Sequence, residues 1–215
     1  MRRTGAGMFH VGVLSPAAFA AGGNRLPVPN NIYNVETMIR VSPELFYSSF
    51  KTLASEYQPK LLQCWNSCPQ YTALFRGKFL PDLAKCLNLC CYQKDYYTLD
   101  AVFYERADST HFPIGTYVEY IALALEHEND PGGSCAEMNK LQLFNCPLKV
   151  LITYPTSRGK GGSTELLAEY ADIIARGDIF SDISTLRRQL VIFGWAGPTW
   201  EAYMYREGRF ERLAA

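Results

Sequence analysis

Three acidic residues and one lysine have the types and spacing that metal-assisted hydrolysis requires. Glu126 and Glu128 flank His127 at the end of an apolar run, and Asp100 lies in an earlier apolar run. Side chains alternate across a strand, so Glu126 and Glu128 are predicted to share one face while His127 points to the other. Carboxylates that leave a buried strand together are costly unless a cation binds them, and hard divalent cations prefer carboxylate oxygens. The pattern therefore predicts a Mg²⁺ or Mn²⁺ site suited to phosphodiester hydrolysis.

The elements that must position these residues follow from local patterns. Ser42 and Pro43 are typical of a helix start, and apolar spacing predicts a helix over residues 43–57 that Pro59 ends. Ser134 and Glu137 form a capping-box pattern at the start of another helix. Further helices are predicted at residues 60–65, 81–91 and 163–176, and strands at residues 96–104, 116–126, 148–154, 190–195, 199–205 and after the turn at 207–208. This order predicts an α/β fold with a mixed central β-sheet flanked by helices.

The arrangement resembles the PD-(D/E)XK nuclease superfamily, which includes many restriction endonucleases. Asp100 matches the first acid of that pattern, and Glu126 and Glu128 match the triplet that ends the next strand. The resemblance spans residues 96–154 with a preceding helix, and it implies a restriction endonuclease-like αβββαβ core. Two positions depart from the pattern. Glu128 stands where most members have lysine, and Thr98-Leu99 precedes Asp100 without the nominal proline. Some restriction enzymes also carry a glutamate in the triplet, and others take the lysine from the next helix, where Lys140 is placed.

The resemblance and metal chemistry together assign a role to each residue. Asp100 and Glu126 are expected to hold the cation, with the His127 carbonyl as a further ligand. Glu128 is expected to bind a second ion or to orient the attacking water as a general base. Lys140 is expected to stabilise the developing negative charge. The expected function is metal-dependent hydrolysis of nucleic acid, with DNA as the substrate.

A second class of function is a catalytically inactive nuclease-like module that binds a protein or nucleic acid. The 21 basic and 21 acidic residues give zero net charge, whereas proteins that track phosphates usually carry a basic excess. Neutrality and the missing triplet lysine favour this alternative, and the intact carboxylate pair disfavours it. A plainer reading makes the acidic triplet a solvated strand end. Trp195, Trp200 and Tyr203 could stack bases, although strand aromatics are more often part of the core.

Cysteine usage and chain organisation complete the expectations. Seven cysteines, an odd number in a chain of 215 residues, favour a reducing, cytoplasmic compartment. The pairs Cys64/Cys68 and Cys86/Cys90 could form a four-cysteine metal site or disulfides, but small buried hydrophobes are the commoner role. Residues 1–33 are predicted to be an irregular N-terminal arm, for which a leader peptide is a less favoured reading, and residues 34–215 one nuclease-like domain. No membrane span is predicted. Monomer and homodimer both stay open.

Overall fold

A seven-stranded mixed β-sheet is the centre of the fold in the computed structural model, which describes residues 41–93, 98–106, 118–159, 162–177 and 188–214. Its strands lie side by side in chain order: β1 (Cys90–Tyr92), β2 (Ala101–Arg106), β3 (Val118–Glu128), β4 (Leu148–Thr153), β5 (Arg188–Trp195), β6 (Thr199–Arg206) and β7 (Arg209–Arg212). Strands β3, β4 and β5 are mutually parallel, and the outer neighbours pair antiparallel. The predicted α/β architecture with a mixed sheet is confirmed. The predicted N-terminal arm lies outside the described residues.

Helices cover both faces of the sheet. The helices are α1 (Pro43–Cys64), α2 (Cys68–Leu74), α3 (Leu80–Cys86), α4 (Ser134–Gln142) and α5 (Ser163–Gly177), and a π-helical segment, Phe75–Phe79, joins α2 to α3. Helices α1 to α3 pack with one face of the sheet in a core rich in phenylalanine. Helices α4 and α5 pack with the other face in a smaller core. Because β3 and β4 are buried on both sides, they read as nearly continuous apolar runs.

Helix α1 does not end at Pro59 as predicted. It continues to Cys64, with Pro59 inside it. A proline removes one helical hydrogen bond, but the helix around Pro59 is exposed, so water can reach the carbonyl that loses its partner. Leu61, fully buried two residues further on, holds the last part of the helix against the core. Burial here outweighs the local preference of proline.

The helix predicted over residues 81–91 ends earlier than expected. Helix α3 ends at Cys86, and Asn88 takes a positive φ of 56° that turns the chain into β1. Cys90 and Cys91 are therefore strand residues, paired with Tyr104 and Phe103 of β2. Asn tolerates the left-handed conformation better than most residues, which makes it a suitable helix terminator.

The capping box predicted at Ser134 is not formed. Gly133 is the N-cap of α4, and no side chain caps the helix there. The Ser134 hydroxyl instead donates to the carbonyl of Pro131 and accepts a hydrogen bond from the hydroxyl of Tyr170 in α5. Glu137, the other half of the predicted box, contacts Lys140. A tertiary partner, Tyr170, holds the Ser134 hydroxyl, and a neighbour in the same helix, Lys140, holds the Glu137 carboxylate, so neither side chain forms the capping box.

The tryptophans pack as the plainer reading predicts, but the paired cysteines are not small buried hydrophobes, since Cys68 and Cys86 are exposed and Cys64 and Cys90 are half-buried. All seven cysteines are free. Cys64 ends α1 whereas Cys68 begins α2, so the pair does not share one helix. Trp195 is nearly buried, and Trp200 packs edge-on against Phe50 with ring centroids 4.9 Å apart. In the described ranges, no helix is long and apolar enough to cross a membrane.

Candidate active site at the end of strand β3

The strand pairing brings Asp100 beside the acidic triplet. Ala101, the first residue of β2, pairs with Leu125 of β3 in antiparallel register, so the chain just before β2 lies next to the residues that follow Leu125. The sequence predicted Asp100 within the strand, but Asp100 lies immediately before it, because β2 begins at Ala101. Its carboxylate Oδ2 accepts a hydrogen bond from the backbone N–H of His127 at 2.8 Å. The two parts of the predicted site meet at one end of the sheet.

Glu126 is a buried carboxylate. Only 1% of the residue is exposed, and its side chain faces α4. Burial raises the pKa of Glu126 to about 8, contact with Lys140 opposes the rise, and the neighbouring Asp100 and Glu137 carboxylates add to it. Perturbations of this kind gather at functional sites, because structural carboxylates are usually exposed or fully hydrogen-bonded.

Lys140 of α4 is the cation that faces Glu126. Its Nζ lies 3.0 Å from Glu126 Oε1, forms an ion pair with Glu137 and donates a hydrogen bond to the carbonyl of Thr98 at 3.3 Å. Burial lowers the pKa of Lys140, but the contacts with Glu137 and Glu126 outweigh it and the pKa is raised. The Lys140 ammonium therefore stays charged near neutral pH, beside a Glu126 carboxylate whose pKa of about 8 lies close to that pH. A lysine on the helix after β3 is where the sequence had predicted it.

Asp100 has a second partner on the opposite side of the sheet. Arg76 Nη1 lies 3.3 Å from Asp100 Oδ1. Arg76 belongs to the π-helical segment, whose wider turn is uncommon and is often found at functional sites. Both oxygens of Asp100 thus have protein donors, one from Arg76 and one from the backbone of β3.

Glu128 is directed toward its own loop. Its Oε1 accepts a hydrogen bond from the backbone N–H of Asp130 at 2.7 Å. Its Oε2 lies over Gly133, where an added Cβ would stand 3.3 Å from it. The structure therefore brings Asp100, Glu126 and Lys140 together, and it leaves Glu128 engaged with the turn that leads into α4.

The carboxylates here fit a cation that takes most of its ligands from water or from the substrate and only one or two from the protein. Glu126 Oε1 and Glu137 Oε2 are buried next to Lys140, and neither receives a well-directed hydrogen bond from any described residue. Across the part of the chain that the structure describes, no three Asp, Glu, His or Cys side chains converge as a complete metal site. Mg²⁺ is commonly bound by only one or two carboxylates together with waters and phosphate oxygens. Glu126 together with a second carboxylate beside it, Asp100 or Glu137, fits that mode, and the described residues form no all-protein cage.

Two contributors were not found by sequence reasoning. Glu137 lies one helical turn before Lys140, and the spacing of three could have indicated a shared helix face. Arg76 gave no sequence signal, because its position depends on the π-helical turn and on packing between distant segments.

The comparisons with known proteins identify no relative. No protein-family model matches the chain, and a search of the curated proteins finds no match. What can be said of its class follows from the structure: a mixed α/β sheet carries a buried carboxylate–lysine pair at the end of a central strand.

Proposed function

We propose that this protein is a metal-dependent nuclease that hydrolyses phosphodiester bonds in nucleic acid, with DNA as the expected substrate. The observation that carries the proposal is the contact between buried Glu126 and Lys140, 3.0 Å apart, with Asp100 and Glu137 close enough to raise the Glu126 pKa. A buried carboxylate beside a charged lysine is an arrangement that phosphoryl chemistry uses and that stability alone does not require.

The order of elements supports the same proposal. After the helical region α1 to α3, strands β1 to β3, helix α4 and strand β4 follow one another as β-β-β-α-β, with β3 and β4 parallel. This order agrees with the core that the PD-(D/E)XK resemblance implies. In that arrangement Asp100 is the acid before the second strand, Glu126 is near the end of the third, and Lys140 comes from the following helix.

The proposed roles follow from the contacts. Asp100 and Glu126 would hold the cation, which would polarise the phosphate and lower the pKa of the attacking water. Lys140 would neutralise charge that develops on the phosphate oxygens, because it is charged and held next to Glu126. Glu128 would bind a second ion or orient the water only after leaving the Asp130 N–H, so its role has the least support.

The test is a cleavage assay with a matched acidic control. Plasmid, single-stranded DNA and RNA are incubated with wild-type protein in Mg²⁺ or Mn²⁺, and with Asp100→Asn. Removing an electrostatic contributor of this kind is expected to reduce cleavage at least about 100-fold. Asp172→Asn is the control, because Asp172 is an exposed aspartate on α5 paired with Arg176. Absence of cleavage by folded wild-type protein on all three substrates would reject the proposal.

One observation favours the inactive-module alternative. Arg76 and Lys140 already neutralise Asp100 and Glu126, so the cluster can exist without a metal. Calorimetric titration with Mn²⁺ separates the two functions. A nuclease should bind Mn²⁺ in a way that Asp100→Asn abolishes, whereas an inactive module should bind nucleic acid or protein with no such dependence.

A further inference from the structure

A cavity of about 310 Å³ opens near the candidate active site, on the side of the sheet covered by α1 and α2. It is lined by side chains that combine rings, amides and a thiol: Trp65, Asn66, Cys68, Tyr71, Asn129 and Tyr154. The volume is at the lower end of the range for small-molecule pockets, roughly 300–1,000 Å³. None of these lining residues is acidic or basic. The cavity therefore suits a flat, neutral group with polar edges.

The three rings of the cavity form a corner. Trp65 meets Tyr71 and Tyr154 edge-on, with centroids 5.5 and 5.7 Å apart, and the two tyrosine rings are at 86° to each other. A planar ligand can lie on one ring face while its edges meet the others. Aromatic faces of this kind stack nucleobases, and amide side chains can hydrogen-bond the base edges.

Buried contacts fix the walls of the cavity. The Tyr154 hydroxyl donates to the Tyr71 hydroxyl at 2.8 Å and is 2.7 Å from His127 Nε2. The His127 ring stacks on Phe75, with centroids 4.1 Å apart. Gly194 of β5 leaves room for the Tyr154 ring, because a Cβ there would clash with it. The binding surface is therefore largely formed before any ligand arrives.

The cavity and the carboxylates share the end of β3. Glu126 faces α4, the His127 side chain faces the cavity wall, and Asn129 lines the cavity two residues later. The same His127 also donates its backbone N–H to Asp100. On the cavity side of the sheet, Asp100 is paired with Arg76 of the π-helical segment, which directly follows α2, the helix that supplies Cys68 and Tyr71 to the cavity.

We propose that the cavity is a nucleobase subsite that takes one unpaired base next to the phosphodiester to be cleaved. The inference rests on the proposed nuclease function and deepens it, because it assigns single-stranded or locally unpaired nucleic acid as the substrate class. A base that is paired and stacked in a duplex cannot enter a pocket without being extruded, and an unpaired base enters with the smallest cost.

The test measures binding without cleavage, in EDTA, by fluorescence anisotropy. The probes are a short labelled single-stranded DNA and the same strand with an abasic position placed at each nucleotide in turn. Trp65→Ala is expected to weaken binding of the intact strand about tenfold and to leave unchanged the binding of the strand whose abasic position falls at the subsite. Leu62→Ala, which changes an exposed residue in the last turn of α1 just before Trp65, is the control and should change neither. Trp65→Phe keeps a ring and should restore most of the affinity.

Photocrosslinking gives an independent readout. 5-Iodouracil is placed at each position of the strand in turn, and the attached residue is mapped by mass spectrometry. One position should attach to Trp65, Tyr71 or Tyr154, and that position should be the one at which loss of the base weakens binding. Attachment only outside the lining residues, or equal weakening of the intact and every abasic strand by Trp65→Ala, would overturn the subsite.

The outcomes separate the subsite from the nuclease function. Metal-dependent cleavage together with binding that ignores the base would keep the nuclease and overturn the subsite. Base-dependent binding without any metal-dependent cleavage would keep the cavity as a site for an unpaired base and overturn the nuclease together with the assignment of that base to a cleaved phosphodiester. Folded protein that neither binds the base nor cleaves would overturn both.

Discussion

Glu126 and His127 are consecutive residues of β3, but their side chains lie on opposite faces of the sheet and contact different kinds of partner. Burial raises the pKa of Glu126 to about 8 and, with the Arg76 charge, lowers the pKa of His127 to about 3, so burial favours the neutral form of each. On the His127 side the partners are a hydroxyl and stacked rings. On the Glu126 side the partners are charged. The neutral partners of His127 hold its side chain in a fixed, uncharged wall. The charged partners of Glu126 surround a carboxylate whose protonation can change.

The π-helical segment serves both sides of this comparison. Phe75 stacks on the His127 ring, and the next residue, Arg76, pairs with Asp100. Adjacent side chains of a helical segment point in different directions, so one segment can supply an apolar wall and a cation to neighbouring sites. The segment is therefore the structural link between the two regions.

The largest effect should come from Lys140→Met. Without the ammonium, the buried Glu126 loses the contact that opposes its high pKa, and the phosphate loses a cation. We expect cleavage to fall at least about 100-fold, measured as single-turnover rate with Mg²⁺. Lys85→Met is the matched control, because Lys85 is an exposed helical lysine paired with Asp82. A loss smaller than tenfold in folded protein would show that the Glu126–Lys140 pair is structural.

The second effect is on stability and depends on pH. The Glu126 pKa is about 8 when folded and ordinarily 4.5, so between these values the folded protein binds the extra proton. The contribution of Glu126 is therefore present below pH 4.5 and lost as the pH rises through 8. Glu126→Gln should remove this loss and make the protein more stable than wild type above pH 8, by on the order of 2 kcal/mol. Lys140 keeps its contact with Glu137 in this variant.

Urea unfolding in EDTA at pH 5 and pH 8.5 measures this difference. Glu211→Gln, which replaces a partly exposed carboxylate paired with Arg209, should differ from wild type in free energy of unfolding by the same amount at both pH values. If the difference in free energy of unfolding between Glu126→Gln and wild type were also the same at both pH values, the Glu126 carboxylate would not be held in a desolvated state.

The third effect belongs to the His127 side. Tyr154→Phe removes a buried hydroxyl that contacts both His127 Nε2 and Tyr71. Because two buried polar groups lose a partner, unfolding should become easier by about 1–2 kcal/mol. Tyr203→Phe is the matched change, since among the described residues that hydroxyl donates one hydrogen bond, to the partly buried Glu201, and its loss should cost less. Equal losses in thermal unfolding would mean that the His127 network is not a rigid wall.

Much of the fold could be predicted, because strands β3 to β6 and helix α5 carry strong local patterns. Two of the failures come from tertiary packing. Leu61 carries α1 through Pro59, and Tyr170 takes the Ser134 hydroxyl away from its helix. Strand β1 was missed because three residues give too short a pattern and Asn88 ends the helix without a glycine or proline.

Strand alternation and helix spacing were enough to predict part of the candidate site. Those rules place Glu126 and His127 on opposite faces and Lys140 on the helix that follows β3. They could not place Arg76, which comes from a distant segment, and they could not foresee the hydrogen bond that holds Glu128 on its loop. Local rules predict on which face of a helix or strand a residue lies. Its contact partners depend on how distant segments of the chain pack together.

The smallest effect should follow from Glu128→Gln, which sharpens the contrast within the acidic triplet. The Glu128 carboxylate accepts from the Asp130 N–H, and a Gln carbonyl can still accept that hydrogen bond. We therefore expect cleavage to stay within about tenfold of wild type, with a stability loss of about 0.5 kcal/mol for the lost charge. Single-turnover rates beside those of Glu126→Gln make the comparison. A loss as large as that of Glu126→Gln would show that Glu128 leaves its loop and acts directly on the substrate or the cation.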